Sequence, residues 1–247
     1  MNLQTAHQSH REIRNDFPST RWSLVSDARG GEARKQGAIE TLCESYWHPV
    51  YSFIRRTGKP PAEAEDITQS FFQKILSQEY IQLAEKERGK FRSFLLAALK
   101  RHMADLHRKA TTLKRGGNVW ITSFDRDLAE KNYSREPSDS LTPDLIFQRR
   151  WVTSLLERVM ADLRAEYVAN GKGRTFDVLE SFISWNDAGR PQQDAADELG
   201  IRVAALRVEL FQLRRRFKQM LENSVAETLA ATEDLESELD ELRNVFS

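Results

Sequence analysis

The chain has 247 residues, with 37 basic and 37 acidic side chains, so its formal net charge is zero. Hydrophobic residues make up 40% and charged residues 30%, a composition that favours a soluble folded chain and excludes full disorder. No stretch approaches the roughly 18 apolar residues of a membrane span, and residues 1–14 lack the apolar core of a secretion signal. The single cysteine, Cys43, excludes an intrachain disulfide and a cysteine metal cluster. We therefore expect a cytoplasmic protein that does not bind a membrane.

Hydrophobic residues at helical spacing predict three helices after an N-terminal extension (residues 1–35). The first helix has an apolar face made by Ile39, Leu42, Cys43, Tyr46, Val50, Phe53 and Ile54. Glycine and two prolines within residues 58–61 end it. The second helix begins with acids, which suit the positive end of the helix dipole, and the third begins near Phe91 with cations opposite its apolar face. We therefore predict a helical unit over residues 36–117.

The rest of the chain is predicted to be a linker, a second helical unit and a final helix. Residues 118–149 interleave acids with serine, asparagine and two prolines, which is typical of a linker. Helical spacing returns in residues 150–222 and again in the acidic segment 223–247. No segment shows the alternation of a strand. The predicted fold is all-α, with two small helical bundles joined by a flexible linker.

Charge is segregated along the chain although the total is zero. Nine basic side chains accompany a single acid, Asp105, between residues 88 and 117, and a second basic run occupies residues 202–218. Residues 222–247 carry eight acids and one base, Arg243. Such segregation indicates a charged partner. The alternative is that these runs are only solvated helix faces.

Residues 192–217 carry the sharpest local signal. The small residues Ala195 and Ala196 allow two helices to approach closely, and Gly200 suits a left-handed turn between them. The helix that follows is apolar on one side and becomes basic toward its end. This pattern is typical of a helix-turn-helix whose second helix enters the major groove of DNA. An ordinary corner between two helices is the alternative.

Segments in both halves resemble a bacterial RNA polymerase sigma factor of the extracytoplasmic-function type, in the sigma-70 family. Residues 64–72 resemble the part of region 2 that grips the polymerase clamp helices. Residues 91–95, together with residues 105–109, are similar to the next helix, which in the family handles the −10 element and strand opening. Residues 192–217 resemble region 4, which reads the −35 element. The order of the segments matches as well.

The resemblance implies three sets of binding residues and no catalytic residue. Those implied for polymerase are Glu65, Asp66, Gln69 and Phe72. Those implied for the −10 region are Lys90, Arg92, Lys100, Arg101, Arg108 and Lys109. Those implied for the −35 region are Arg202, Arg207, Glu209, Gln212, Arg214, Arg215 and Arg216. Arg101 departs from the family, which usually has asparagine there, so the promoter sequence cannot be transferred from relatives.

The expected function is therefore that of a sigma factor, which binds core RNA polymerase and directs promoter recognition and transcription initiation. The alternative is a helix-turn-helix regulator that binds DNA without polymerase. An enzyme is not expected, because the chain has no glycine-rich phosphate loop and His102 and His107 lack the spacing of a helical zinc pair. No cofactor and no metal are expected.

The expected partners are core RNA polymerase and promoter DNA. The sequence leaves open whether an anti-sigma protein or another regulatory protein also binds. The acidic segment 223–247 has an opposite charge to both basic runs. We therefore hypothesise that it folds back on a basic patch and lowers the affinity for DNA.

Overall fold

The computed structural model describes residues 32–75, 89–110, 130–131, 133–134, 141–183, 189–229 and 233–246. Within these ranges the chain forms α-helices and one short 3-10 turn and has no strand, so the prediction of an all-α fold is confirmed. The helices are α1 (Glu32–Arg56), α2 (Pro61–Ile75), α3 (Phe91–Ala110), α4 (Pro143–Ala169), α5 (Gly173–Leu179), α6 (Gln192–Leu199), α7 (Val203–Ala226) and α8 (Leu235–Asn244). The predictions for residues 1–31 and for most of the linker lie outside the described residues.

Helices α1, α2 and α3 pack through an aromatic cluster. Trp47 of α1 stacks on Phe72 of α2 with ring centroids 5.6 Å apart, and Tyr46 meets Phe91 of α3 edge to face at 5.6 Å. All four side chains are buried. Aromatic pairs in these geometries stabilise a core beyond the area that they bury. The cluster fixes the position of α2 and α3 against α1.

Helix α4 begins at residue 143 rather than at residue 150, the predicted start of the second unit. The Thr142 hydroxyl accepts a hydrogen bond from the Leu145 amide, and Pro143 occupies the first turn, where its missing N–H is not needed. The last part of the predicted linker is therefore helical, because the chain has a complete helix start there.

Helix α4 makes its most extensive pairing with α1. Arg158 of α4 also donates a 2.6 Å hydrogen bond to the Ser45 hydroxyl of α1. The buried residues of α1, α4 and α7 belong to one hydrophobic cluster. The helices that the sequence assigns to two bundles therefore share a core in this structure.

The segment from α5 to α7 surrounds the C-terminal half of α4. Gly200 joins α6 to α7 with φ of 66°, a left-handed conformation that glycine adopts without strain. The small residues Ala195 and Ala196 are fully buried beneath this turn. Helices α6 and α7 therefore have the short, tightly packed turn that the sequence predicts for a helix-turn-helix.

Helix α8 packs on α7 and reaches the start of α3. The Asp234 carboxylate caps α8 by accepting a hydrogen bond from the Ser237 amide at 2.9 Å. Leu242 is buried and Glu238 is 1% exposed. The structure thus has an acidic helix near the C-terminus, but α8 is shorter than the predicted segment 223–247, because α7 continues to Ala226. Across the described helices, none is both long enough and apolar enough to span a membrane.

Replacing Leu163 of α4 with alanine should lower the free energy of unfolding by about 2–5 kcal/mol, because Leu163 is completely buried and the change leaves a cavity. Val168→Ala on the same helix is the control, since Val168 is 50% exposed and should change stability by less than about 0.5 kcal/mol. Urea unfolding measures both values. Equal losses for the two variants would contradict the assigned inner face of α4.

Candidate nucleic-acid interface

Helix α3 separates an apolar face from a cationic face. Phe91, Leu95 and Leu99 are buried in the core, while Arg101 and Arg108 are exposed on the opposite side. Lys100 is also exposed and forms an ion pair with Asp144 at the start of α4. Two of the predicted −10 residues and the partly neutralised Lys100 therefore form one cationic surface. The side chain of Lys109, another predicted −10 residue, lies outside the described residues.

Asp105 limits the positive charge on this surface. Its carboxylate accepts hydrogen bonds from Arg108 and from Lys74 of α2, and these bonds lower the pKa of Asp105. His102, on the same helix as Asp105, is buried, and its Nε2 lies 2.9 Å from the Ser70 hydroxyl of α2. His102 therefore connects α2 to α3 and does not lie on the cationic surface.

Lys90 and Arg92 do not lie on this exposed surface, contrary to the prediction. Arg92 is 6% exposed and forms an ion pair with Glu238 of α8. Lys90 lies 2.5 Å from both Glu238 and Glu241. Burial opposes the charge on Lys90, but the hydrogen bonds to Glu238 and Glu241 outweigh it and raise the pKa of Lys90. The bond from Lys90 lowers the pKa of Glu241. Both cations are occupied because α8 covers them.

Helix α2 presents three of the four residues predicted to bind polymerase. Asp66 is exposed, and Glu65 and Gln69 are partly exposed. Phe72 is 1% exposed and stacks on Trp47, so it belongs to the core. Phe72 is therefore not on the surface with the other three residues, because α2 packs against α1 through this side chain.

The second predicted DNA surface lies on α7 and on the turn before it. Arg202, Arg207, Gln212 and Arg215 are exposed. Arg207 donates to the Gln192 side chain at 3.1 Å, and Arg214, which is also exposed, donates to the Phe182 carbonyl at 3.2 Å. These residues place positive charge on the outer face of the helix-turn-helix.

Two predicted residues of α7 are engaged within the protein. Arg216 forms a double hydrogen bond with Glu166 of α4, with distances of 2.7 and 3.0 Å, and this pairing raises the pKa of Arg216. Glu209 forms an ion pair with Lys172 at 3.0 Å. Arg216 therefore joins α7 to α4, and Lys172 neutralises the acid that would repel phosphate. Sequence reasoning did not find Lys172, because it lies 37 residues away from its partner.

The face of α7 that carries the cations also exposes two large apolar side chains. Val208 is 55% exposed and Phe211 is 66% exposed, among the largest values for hydrophobic residues in the described chain. The helical repeat places Phe211 next to Arg207 and Arg215, four residues away on either side, and Val208 next to Phe211. The sequence contained this signal, since both residues fall outside the apolar spacing of Leu206, Leu210 and Leu213.

Glu130 in the predicted linker contacts α1. Its carboxylate accepts hydrogen bonds from Arg55 at 2.7 and 2.9 Å and from the Tyr51 hydroxyl at 2.7 Å. The hydrogen bond from Arg55 lowers the pKa of Glu130, while burial and the same carboxylate raise the pKa of Tyr51. This part of the linker is therefore attached to the first helix by a charged network that the sequence did not predict.

Replacing Glu130 with glutamine should lower the free energy of unfolding at pH 7 by about 1–2 kcal/mol, because Arg55 loses its charged acceptor. The pKa of Glu130 is lowered by folding, so its contribution is complete above the ordinary glutamate pKa of about 4.3 and is lost as the pH falls through the folded value. Urea unfolding of both proteins over a pH series should show the difference shrinking in acid. A difference independent of pH would contradict the network.

The described residues contain no group of three histidine, cysteine, aspartate or glutamate side chains placed to hold a metal ion. The arrangement of the described surfaces is one of fixed charges: acids on α2, and cations on α3 and α7. Such surfaces bind charged macromolecules through contacts with phosphate or with side chains of opposite sign.

Residues 42–112 match the family model for sigma-70 region 2. The matched segment contains most of α1, all of α2 and all of α3, and it covers less than one third of the chain. The match supports a sigma-70 family sigma factor, a non-enzymatic class of protein that takes part in promoter recognition by RNA polymerase. No curated protein and no solved structure matched the chain.

Proposed function

We propose that the protein is a sigma factor of the extracytoplasmic-function type, which binds core RNA polymerase and brings it to promoters. The observation that carries the proposal is the region 2 match, because it coincides with helices of opposite surface charge. The protein would act in the cytoplasm, where polymerase and chromosome are found, and by binding rather than by catalysis. Residues 36–117 would contact polymerase and the −10 element, and residues 150–222 would contact the −35 element.

Polymerase binding is assigned to the acidic surface of α2. Asp66 is exposed at the side of the helix, and Glu65 and Gln69 flank it. These acids repel the phosphates of nucleic acid, so they suit a basic surface of a partner protein. The aromatic packing of Phe72 holds α2 rigidly against α1, which presents the three polar side chains in a fixed orientation.

Contact with the −10 element is assigned to the exposed cations of α3. Arg101 and Arg108 point away from the core, and Lys100 could exchange Asp144 for a phosphate. Cations at this spacing along one helix follow a strand through its phosphates, and such contacts depend on salt. Strand opening requires bases to leave the stack, which costs a few kcal/mol that protein contacts must offset.

Contact with the −35 element is assigned to α7. Arg202, Arg207 and Arg215 surround its exposed face, and Gln212 is placed to form hydrogen bonds with base edges. Val208 and Phe211 add apolar surface that suits the methyl groups of thymine. Arg216 is excluded from this set, because Glu166 holds it inside the protein.

The double charge reversal Glu65→Lys and Asp66→Lys should lower co-purification with core RNA polymerase at least tenfold, because it places positive charge where the partner surface is basic. Transcription from a genomic fragment library should fall with it. The matched control is Glu157→Lys with Asp177→Lys, which reverses two exposed acids of α4 and α5 and should leave polymerase binding unchanged.

Circular dichroism of both double variants would establish that their helices are retained. Unchanged polymerase binding by the α2 variant would contradict the assigned surface. Tight DNA binding by the wild-type chain alone, with no association with polymerase, would instead favour the helix-turn-helix regulator.

Two neighbouring arginines provide a matched pair for the −35 assignment. Arg215→Gln should make the dependence of log K on log salt shallower by about one unit, because one phosphate contact is lost. Arg216→Gln should leave that slope unchanged and lower thermal stability, because it leaves Glu166 without its guanidinium partner.

The measurement is binding of each variant, assembled with core polymerase, to a duplex promoter recovered from the library. If Arg216→Gln made the salt dependence shallower and Arg215→Gln left it unchanged, the proposed orientation of α7 on DNA would be overturned.

A further inference from the structure

Helix α8 lies over the start of α3 and contacts it through acids. Glu238 reaches both Arg92 and Lys90, and Glu241 lies 2.5 Å from Lys90 and 3.6 Å from Arg92. Glu233, just before α8, has its Oε1 3.7 Å from the position that a Cβ would occupy at Gly89. Three acids of one short segment therefore lie along residues 89–92.

The Glu238 carboxylate is almost completely removed from water. It is 1% exposed, and the Arg92 side chain that it contacts is 7% exposed. A buried carboxylate is unfavourable unless a cation or several hydrogen-bond donors accompany it. The contact with Arg92 and Lys90 is thus what allows Glu238 to occupy this position.

Arg92 also contacts an aromatic ring of α4. Its guanidinium lies 5.0 Å from the centre of the Trp151 ring of α4. At the other end of the segment, the Phe246 ring lies 5.1 Å from the Arg149 guanidinium, also on α4. Because Arg92 is 6% exposed and paired with Glu238, a nucleic-acid strand that contacts Arg92 must displace Glu238, and one that pairs with Lys90 must compete with Glu238 and Glu241.

The apolar side of α8 does not fill the groove on which it rests. An open groove of about 340 Å³ remains between α4, α7 and α8, and a second of about 590 Å³ lies along α4 and α5; Phe217 and Phe246 line both of them. The apolar contact of α8 with α4 and α7 is therefore incomplete, while its acids form ion pairs with Lys90 and Arg92 at the start of α3.

We propose that α8 is an autoinhibitory helix that covers Lys90 and Arg92 with carboxylates and must move away before these residues bind nucleic acid. The inference rests on the proposed function, in which residues at the start of α3 contact promoter DNA. The carboxylates of α8 occupy the position beside Lys90 and Arg92 that phosphates of DNA would take. The free chain therefore binds DNA weakly at these two residues. Binding of DNA and release of α8 are then coupled.

The test compares three chains with the wild type. Glu238→Gln with Glu241→Gln removes the two acids that contact Lys90 and Arg92. Glu236→Gln with Asp240→Asn removes the same charge from exposed positions of the same helix and is the matched control. The third chain ends at Thr232 and lacks α8 altogether, which keeps the test valid if the first variant folds poorly.

The first measurement is fluorescence anisotropy with a labelled single-stranded oligonucleotide of mixed sequence. The Glu238/Glu241 variant and the shortened chain should bind it about three- to tenfold more tightly than the wild type, and the control should bind as the wild type does. Adding Lys90→Gln to the shortened chain should reverse part of the gain. An equal gain in the control would overturn the proposal, because it would show an effect of net charge alone.

The second measurement is hydrogen exchange of residues 235–244 in the same chains. Faster exchange in the Glu238/Glu241 variant is expected, and unchanged exchange would overturn the role of the two acids. Faster exchange without tighter DNA binding would overturn the inhibitory role. Co-purification of the shortened chain with polymerase depends on α2 and not on Lys90 or Arg92. If the shortened chain still binds polymerase, any of these failures concerns α8 alone; if it does not bind, the proposed function fails.

Discussion

The interaction that most clearly organises the charge of this structure is the buried ion pair between Arg92 and Glu238. The Arg92 guanidinium contacts both the Glu238 carboxylate and the Trp151 ring, so one side chain joins α3, α4 and α8. A guanidinium that is removed from water requires such partners on every side. The pair therefore fixes where the C-terminal helix lies, and it divides the basic residues of the chain into those used inside the protein and those left for a partner.

That division explains how a chain of zero net charge can bind a polyanion. Arg92, Arg216 and Arg55 are held by Glu238, Glu166 and Glu130, so much of the acidic charge is used in contacts within the protein. Arg101, Arg207 and Arg215 remain on exposed faces. Interaction with nucleic acid depends on this local distribution rather than on the sum of charges.

The sequence could predict the elements and much of the site. Periodicity identifies the inner faces of α3 and α4, and Gly200 with two alanines identifies the turn before α7. Periodicity does not say which distant helix covers a given side chain. Arg92 and Arg101 look alike in the sequence, yet α8 covers only Arg92. Arg215 and Arg216 are neighbours in the sequence, yet only Arg216 is paired with Glu166. The sequence likewise does not show that Phe72 is buried, because the residue that stacks on it, Trp47, belongs to another helix.

The central claim is that the start of α3 exchanges an internal acidic partner for promoter DNA. Hydrogen exchange of the full chain, alone and bound to core polymerase with a promoter fragment, tests it most directly. The account predicts that residues 233–246 exchange faster in the bound complex while residues 89–95 become protected. If residues 233–246 keep their protection when the promoter is bound, α8 stays in place and the account is contradicted.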